Sequence, residues 1–390
     1  MNSFVFQMPT KVYFGEGQIT HLPVPDELKQ LGTKVLLVYG GGSIKKSGLY
    51  QKITTLMEQA GIEFAELSGV DPNPRLASVE AGATLCKKEN VDVVLAVGGG
   101  SVIDCAKAIA AASQYDGKAW DLISGKEQVI KALPVVTVLT LAATGSEMDN
   151  CSVITNTETK EKVGLLNSVL VPKVSFLDPT LTYSVSKFQT ASGSADILSH
   201  VLEVYFNMNR DLEMLDREME GLMKTVVKFA PIALEKPDDY EARANLMWAA
   251  SWAINGFING GKVQMWSCHP MEHELSAFYD IAHGLGLAIL TPRWMEYVLD
   301  ETTAPKFYDY GVNVFGMDPT LPVMEAAKQS IERTEEFLFD KLGLPRTLTE
   351  IGIDGTNLER MAEKACGNGV IPAFRPLGKE DILTIYKMCL

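Results

Sequence analysis

Three of the chain's five histidines lie close together, at positions 269, 273 and 283. His269 and His273 are four residues apart, which stacks them on one face of a helix. His283 follows an aromatic segment that can end one helix and lead to another. Upstream, Asp196 and His200 have the same four-residue spacing. This clustering is typical of metal sites, and it predicts two helical pairs that converge on one ion.

The donor types limit which metal would bind. An aspartate with neutral imidazoles suits Fe²⁺, Zn²⁺, Mn²⁺ or Co²⁺, and it suits Cu⁺ poorly. Pro270 fits the first turn of a helix, which places His269 at the helix entrance. Neighbouring helical residues point apart, so we expect Cys268 to be a packed thiol and not a ligand. A lone histidine on an apolar face is more often a hydrogen-bonded core residue, and His21 keeps that interpretation.

A second chemical feature is the segment "DVVLAVGGGSVIDCAK", residues 92 to 107. A strand leads through three glycines into a helix that is predicted to start near Ser101. Bare backbone N–H groups and the positive helix end then face one point, which suits a phosphate or pyrophosphate. The alternative is a tight turn in which Ser101 is the N-cap and Asp104 completes a capping box. The segment is not a GxGxxG, so the usual dinucleotide fingerprint is missing.

An earlier turn, "VYGGGSIKKSG", bears on which dinucleotide would bind. An acidic side chain at such a strand end favours the free 2′-hydroxyl of the adenosine ribose, whereas neutral small groups or cations favour a 2′-phosphate. Here the strand ends in glycines and Ser43, followed by Lys45 and Lys46. If this turn meets the ribose, NADP is favoured over NAD. The alternative is that both lysines are simply exposed on the next helix.

The elements that would carry these residues change along the chain. The runs 34–43, 92–101 and 134–147 each read as a buried strand that ends in small residues, which predicts βα units around a mostly parallel sheet. Long amphipathic patterns dominate later; they are 211–231, 241–257, 322–342 and 357–367. We therefore predict a dinucleotide-binding α/β domain over residues 1–182 and an all-helical metal-binding and substrate domain over residues 183–390.

Composition limits the class of protein. The chain has 390 residues, of which 46% are hydrophobic and 22% charged, as in soluble globular enzymes. No apolar run of membrane-spanning length and no secretory signal pattern is visible, so we expect a cytoplasmic protein. Six scattered cysteines without a CxxC indicate thiols in a reducing compartment. The net charge of −14 argues against nucleic acid as a partner, although backbone N–H groups can still hold a phosphate.

Several segments together resemble the iron-dependent (group III) alcohol dehydrogenases, and within them the branch of NADPH-dependent aldehyde reductases and butanol dehydrogenases. They are the Asp196/His200 pair, the histidine segment, "PTKVYFGEG", "YGGGSIKKSG", "DPNP", "AVGGGSVIDCAK", "TGSEMDNCSVITN", "FLDPTLTY" and "WAASWAINGF". The resemblance implies a Rossmann-like domain followed by a helical domain, as in dehydroquinate synthase. It also implies NADP(H), one Fe²⁺ or Zn²⁺, a small aldehyde or alcohol substrate, and a homodimer.

The resemblance assigns roles position by position. The implied metal ligands are Asp196, His200, His269 and His283. His273 matches a further histidine near the nicotinamide and substrate. The implied pyrophosphate cradle is Gly99, Gly100 and Ser101, and the adenosine-phosphate end is Gly41 and Ser43. The residues that match the rest of the dinucleotide groove are Asn73, Asp104, Thr140, Thr144, Ser146, Val153, Lys162 and Leu181. Cys151 departs from the family pattern, in which smaller residues are more familiar.

These assignments predict a metal-dependent reduction of aldehydes to primary alcohols, and its reverse, by hydride transfer from NADPH. His273 is the predicted catalytic proton relay to the product oxygen. Other activities share this architecture, because fold does not settle function. The alternatives are a dehydroquinate-synthase-like lyase, an NAD-dependent polyol or glycerol-type dehydrogenase, and a non-catalytic dinucleotide or metal sensor.

Overall fold

The computed structural model of the chain describes residues 2–22, 27–208, 212–262, 266–367 and 369–390. Its contacts divide these residues into two compact units, one of residues 7–185 and one of residues 2–6 with 186–390. Residues 2–6 were predicted to belong to the N-terminal domain, but they pack on the helical unit. The N–H of Asn2 donates to the carbonyl of Gly261 at 3.0 Å, and the Phe6 and Phe257 rings meet edge to face.

The unit of residues 7–185 is built on a six-stranded parallel sheet with the strand order β1-β8-β5-β4-β2-β3, and a separate antiparallel hairpin joins β6 to β7. The strands are β1 (Lys11–Phe14), β2 (Lys34–Tyr39), β3 (Glu63–Leu67), β4 (Val93–Gly98), β5 (Val135–Leu139), β6 (Cys151–Asn156), β7 (Glu161–Leu166) and β8 (Val174–Leu177). The inner strands β4 and β5 are buried throughout, because helices cover parallel sheets on both faces. The three predicted strand runs correspond to β2, β4 and β5.

The helices of this unit connect the strands. They are α1 (Leu28–Leu31), α2 (Ser43–Lys46), α3 (Leu49–Gln59), α4 (Leu76–Glu89), α5 (Gly100–Ala112) and α6 (Ala119–Ile123). Short 3₁₀ helices lie at Gln18–His21, Ser146–Met148, Ser168–Leu170 and Pro179–Thr182. From β2 the chain continues outward to β3, whereas from β4 it continues in the opposite direction to β5. The sheet therefore has its topological switch point between β2 and β4, where open α/β sheets bind ligands at the carboxyl ends of their strands.

The described part of the unit of residues 186–390 is predominantly helical. Its α-helices are α7 (Lys187–Tyr205), α8 (Glu213–Glu235), α9 (Tyr240–Ile254), α10 (Cys268–Tyr279), α11 (His283–Val298), α12 (Ala304–Phe315), α13 (Val323–Glu335), α14 (Leu358–Cys366) and α15 (Lys379–Met388). A π-helical turn, Glu336–Lys341, continues α13, and 3₁₀ helices lie at Phe257–Asn259 and Thr349–Ile351.

This arrangement confirms the predicted fold class. The four predicted helical stretches correspond to α8, α9, α13 with its π-helical turn, and α14; position 211, where the first was predicted to begin, lies outside the described residues. The central helix α7 is buried at every residue from position 190 to position 205, where it packs against α8, α9 and α11. None of the helices that the structure describes is long and apolar enough to cross a membrane.

Candidate metal centre and dinucleotide site

Three helices of the unit of residues 186–390 bring the four predicted metal ligands together. Asp196 and His200 lie one turn apart on the buried helix α7. His269 lies in the first turn of α10, as the following proline predicts, and His283 is the first residue of α11. The Oδ1 atom of Asp196 is 3.7 Å from the Nε2 atoms of both His200 and His283. One donor atom each of Asp196, His200 and His269 lie within 4.8 Å of one another.

These donors fit a small divalent ion. Ligand atoms about 2.1 Å from a tetrahedral ion are about 3.4 Å apart, close to the two 3.7 Å separations at Asp196. The Nε2 atom of His269 is buried and finds no hydrogen-bond partner in the described part of the chain. A buried acceptor or donor without a partner is costly, and a metal ion would satisfy it. Nitrogen and carboxylate donors are also the set that Fe²⁺ and Zn²⁺ accept.

Two glutamates hold the ligand rings from behind, and sequence reasoning missed both. Glu203 Oε1 lies 2.5 Å from Nδ1 of His269, and Glu272 contacts Nδ1 of His283. Both carboxylates are buried, with 3% and 0% of the residue surface exposed. A carboxylate that accepts the Nδ1 proton fixes the tautomer and leaves the Nε2 lone pair directed at the ion. The two contacts thus prepare both histidines to bind through Nε2.

Glu203 also holds the start of helix α10. Its carboxylate accepts hydrogen bonds from the backbone N–H groups of Ser267, of Cys268 at 2.9 Å and of His269 at 3.2 Å. The first N–H groups of a helix have no partner within the helix, and an anion there also interacts favourably with the helix dipole. One side chain on α7 therefore orients both a ligand ring and the backbone that carries it. The sequence signal was the seven-residue spacing from Asp196, which places Glu203 on the same face of α7.

The charge states of the histidines differ. Burial lowers the pKa of His200 well below its usual value, and the neighbouring His269 and His283 lower it further. Burial also opposes protonation of His269, but the Glu203 carboxylate outweighs it and the pKa of His269 is raised. His200 is thus neutral near pH 7, the form in which imidazole binds metals.

A glycine lets α11 approach α7 closely enough for His283 to reach Asp196. A Cβ atom on Gly284 would lie 1.9 Å from the backbone oxygen of Ser192, which is far inside any permitted contact. Only glycine fits where two helix backbones meet this closely. Residue 284 must therefore be glycine for the metal ligands to come together, although it contributes no donor atom itself.

His273 lies on the next turn of α10 and is partly exposed. Its ring centroid is 5.7 Å from that of His283 and 6.3 Å from that of His269. Donor atoms of Glu272, His273 and His283 also lie within 4.8 Å of one another. Because Glu272 contacts the Nδ1 face of His283, we assign this second group to the support of His283 and not to a second ion.

In the unit of residues 7–185, the predicted pyrophosphate cradle lies at the start of α5. The first bonds of this helix run from the N–H groups of Val102 and Ile103 to the carbonyl of Gly99. The N–H groups of Gly100 and Ser101 precede them at the positive end of a 13-residue helix, where N–H groups have no partner within the helix. A Cβ atom on Gly100 would lie 2.0 Å from Thr144 Oγ1, so only glycine lets the two predicted residues approach each other.

The capping-box alternative for this turn is wrong. The N-cap residue is Gly99, which makes no side-chain cap hydrogen bond, while the Ser101 hydroxyl donates to the carbonyl of Pro72. Asp104 does not reach back to the helix start. Its Oδ1 accepts from the Ser146 hydroxyl at 2.5 Å and its Oδ2 from the Val153 N–H at 2.9 Å.

Asp104 therefore connects two other predicted groove residues, Ser146 and Val153. Burial raises the pKa of Asp104 to about 6, against the opposing charge of Lys107, and Asp149 adds to the increase. The Lys107 ammonium is fully buried and donates to the Ser146 hydroxyl at 2.9 Å and to Asp149 Oδ1 at 2.5 Å. This polar cluster ties α5 to the 3₁₀ helix Ser146–Met148 and to β6.

The remaining predicted dinucleotide residues are more dispersed. The Thr140 N–H donates to the carbonyl of Gly98, which places Thr140 beside the cradle, and Asn73 is buried next to Pro72. Lys162 is buried on β7, paired with Thr155 of β6. Leu181 lies in the 3₁₀ helix Pro179–Thr182 and packs against the apolar core of the sheet.

Gly41 and Ser43 lie at the carboxyl end of β2, the strand beside β4. Tyr39 on β2 pairs with Val97 on β4, so the two glycine turns leave the same edge of the sheet next to each other. The structure thus brings the predicted adenosine end and the predicted pyrophosphate cradle to the switch point between the two strands.

The chain matches two sequence families in succession. The family described as "Iron-containing alcohol dehydrogenase" matches residues 9–179, and the one described as "Fe-containing alcohol dehydrogenase family, C-terminal" matches residues 190–390. The chain belongs to the iron-containing alcohol dehydrogenase family. The predicted resemblance is confirmed, and this iron-containing alcohol dehydrogenase is an alcohol/aldehyde oxidoreductase whose family binds a divalent metal and a nicotinamide cofactor.

Full-length relatives agree on the family and differ in the cofactor that their names give. NADH-dependent butanol dehydrogenase A of Clostridium acetobutylicum is 51% identical over 99% of each chain. NADPH-dependent aldehyde reductase YqhD of Escherichia coli is 34% identical over 95% of this chain and 94% of its own. The crystal structure of NADH-dependent butanol dehydrogenase A from Thermotoga maritima superposes with a TM-score of 0.94 at 41% identity, covering 100% of this chain and 99% of that one.

Proposed function

We propose that this enzyme reduces short aldehydes to primary alcohols, and catalyses the reverse oxidation, with NADP(H) as the hydride carrier and one Fe²⁺ or Zn²⁺ at the histidine cluster. The observation that carries the proposal is the convergence of Asp196, His200, His269 and His283, two of whose rings have a carboxylate behind them. With four protein ligands, substrate binding requires that the ion accept the substrate oxygen as a fifth ligand, which ions of this kind can do in catalytic sites.

The residues divide the chemistry between them. When bound, the metal makes the aldehyde carbon more electrophilic and the reduced nicotinamide supplies the hydride. The four ligands would hold the ion, and Glu203 and Glu272 keep the imidazoles of His269 and His283 in the orientation that would bind it. The product oxygen then needs a proton, which we assign to the His273 imidazole, directly or through water or a ribose hydroxyl.

The use of NADPH is supported by the turn that follows β2. Residues 40 to 43 are three glycines and a serine, so this turn carries no carboxylate that would repel a 2′-phosphate. NADH is a second candidate, for two reasons. The Glu66 carboxylate lies on the neighbouring strand β3, and the relative from Clostridium acetobutylicum is named as NADH-dependent.

A paired measurement tests the proposal. Elemental analysis of the purified protein should find about one divalent ion per chain, and NADPH should be consumed with a panel of short aldehydes, including hydroxyaldehydes and glyoxals. Equal or faster consumption of NADH would contradict the NADPH preference alone. A protein that binds the dinucleotide but turns over no aldehyde would be a sensor, and the proposed activity would be wrong. The predicted homodimer stays a prediction, which light scattering can check.

A further inference from the structure

The lysine that the sequence places near a 2′-phosphate, Lys45, is engaged by other groups in the structure. Its ammonium lies 4.6 Å from the centroid of the Tyr50 ring and 5.1 Å from that of Tyr39. It is also 4.0 Å from Oε2 of Glu66. Aromatic faces and a carboxylate both attract a cation, so these three side chains together define a preferred position for Lys45.

Glu66 is itself held in place by the two tyrosines. The Tyr39 hydroxyl donates to Oε2 at 2.7 Å and the Tyr50 hydroxyl donates to Oε1 at 2.5 Å. Partial burial opposes ionisation of Glu66, but the hydrogen bonds from Tyr50 and Tyr39 and the charge of Lys45 outweigh it and lower its pKa. The pKa of Lys45 is raised in turn, chiefly by its contact with Tyr39. Near pH 7 the group is therefore an ion pair supported by two rings.

This group lies beside the edge of the sheet where the adenosine end of a dinucleotide would bind. Tyr39 is the last residue of β2, directly before the glycine turn, and Lys45 follows Ser43 by two residues. The chain that leaves β3 runs along the same turn, since the Val70 N–H donates to the carbonyl of Tyr39 at 3.3 Å. In open α/β sheets, charged groups at the end of the strand next to the pyrophosphate turn select between a 2′-hydroxyl and a 2′-phosphate.

We propose that Glu66 is a specificity-determining residue. Together with Tyr39 and Tyr50, it holds the Lys45 ammonium over the tyrosine rings and so keeps that charge away from a 2′-phosphate. The preference for NADPH over NADH is therefore smaller than the two lysines alone would give. This proposal rests on the proposed function, because it requires that the adenosine ribose binds at the turn after β2. It assigns the selectivity to a residue on β3, 23 positions after Ser43 along the chain. It also explains how the turn of this chain can carry two lysines without a fixed preference for NADPH, in a family whose members are named for either dinucleotide.

The test compares kcat/KM for NADPH with kcat/KM for NADH in matched variants. Glu66→Gln frees Lys45 and should raise the NADPH/NADH ratio about fivefold, as expected for one exposed charge pair gained. The gain should shrink at high salt, which screens such pairs. Lys45→Met alone should change the ratio less than about twofold, and the double variant should lose the gain. Glu63→Gln on the same strand and Lys52→Met on the next helix, α3, are the matched controls and should leave the ratio unchanged.

Binding of two fragments separates the possible failures. Calorimetric titration with ADP and with 2′,5′-ADP reports the adenosine end without turnover. If neither fragment binds the wild-type enzyme, the proposed dinucleotide site itself is wrong. If both bind and Glu66→Gln leaves their affinity ratio unchanged, only the role of Glu66 is wrong. If the gain persists when Lys45 is also replaced, Glu66 repels the phosphate directly and the proposed route through Lys45 is wrong. A large loss of NADPH preference in Lys45→Met alone would likewise overturn it, because Lys45 would already contact the phosphate.

Discussion

Replacing Glu203 with glutamine should weaken metal binding although it removes no metal ligand. Glu203 accepts from Nδ1 of His269 at 2.5 Å and from three backbone N–H groups at the start of α10. Glutamine has nearly the same shape, but it is neutral and replaces one acceptor oxygen with an NH₂ donor. Whichever way the amide turns, that donor faces either the His269 ring or the Cys268 N–H. The ring loses its fixed orientation, or α10 loses part of its cap.

The magnitude follows from those contacts. Loss of a carboxylate behind a ligand histidine typically weakens metal affinity by about 10- to 100-fold, and each factor of ten corresponds to about 1.4 kcal/mol. A buried donor left without a partner costs about 1–3 kcal/mol of unfolding free energy even in the metal-free protein. Metal-dependent stabilisation should fall as well, because at a fixed metal concentration it depends on the ratio of free metal to Kd.

Two measurements on Glu203→Gln check this prediction. Competition with a coloured chelator gives the metal Kd, and denaturant unfolding of the metal-free protein gives the loss of intrinsic stability. Glu274→Gln is a suitable control, because Glu274 lies on helix α10 with His269, is mostly buried and pairs with Lys364 at 3.3 Å. The control should lose some stability and keep its metal affinity. If Glu203→Gln bound the metal as tightly as wild type, the carboxylate would serve only as a helix cap and the proposed positioning role would be refuted.

Three further predictions concern the two units. His273→Ala should keep its metal and lose turnover, whereas His283→Ala should lose both; elemental analysis beside the rate distinguishes them, and metal loss in His273→Ala would make His273 a ligand. Gly284→Ala should destabilise the fold by about 1–3 kcal/mol, because its methyl group would overlap the Ser192 carbonyl, and an unchanged denaturation midpoint would contradict the close approach. For Asp104, the folded pKa of about 6 lies above the usual value of 3.8, so its own contribution to the stability of the wild type should be present below about pH 4 and be lost as pH rises to about 6. Asp104→Asn should lack that component, and parallel pH dependences of the two unfolding free energies would refute it.

The sequence predicted what local spacing determines. Residues four apart on a helix share a face whatever the rest of the chain does, so the spacing alone pairs Asp196 with His200 and His269 with His273. Runs of β-branched residues ending in glycine likewise indicated β2, β4 and β5, because buried parallel strands have few other compositions. The start of α10 followed from Pro270, whose ring fits the first helical turn.

Contacts between distant positions were decided only by the tertiary structure. Spacing puts Glu203 on the same face of α7 as Asp196, but Glu203 lies 66 residues before His269 and neither local segment shows that His269 is its partner. The same applies to Asp104, whose spacing after Ser101 suggested a local capping box. Its actual partners, Ser146 and Val153, are 42 and 49 residues away. A local hydrogen bond is only one way to satisfy a carboxylate, and burial makes the distant partners preferable when packing brings them close.

In the candidate metal centre and in the turn after β2 alike, the sequence indicated the chemically active residues but not the side chains that contact them. Residue type and spacing named Asp196, His200, His269 and His283, since few side chains can bind a divalent ion. They also drew attention to Lys45, but its neighbours Tyr50 and Glu66 come from another helix and another strand. A sequence shows which residues are charged. The strength of the interactions between those charges depends on distances of a few ångströms, which only the folded chain determines.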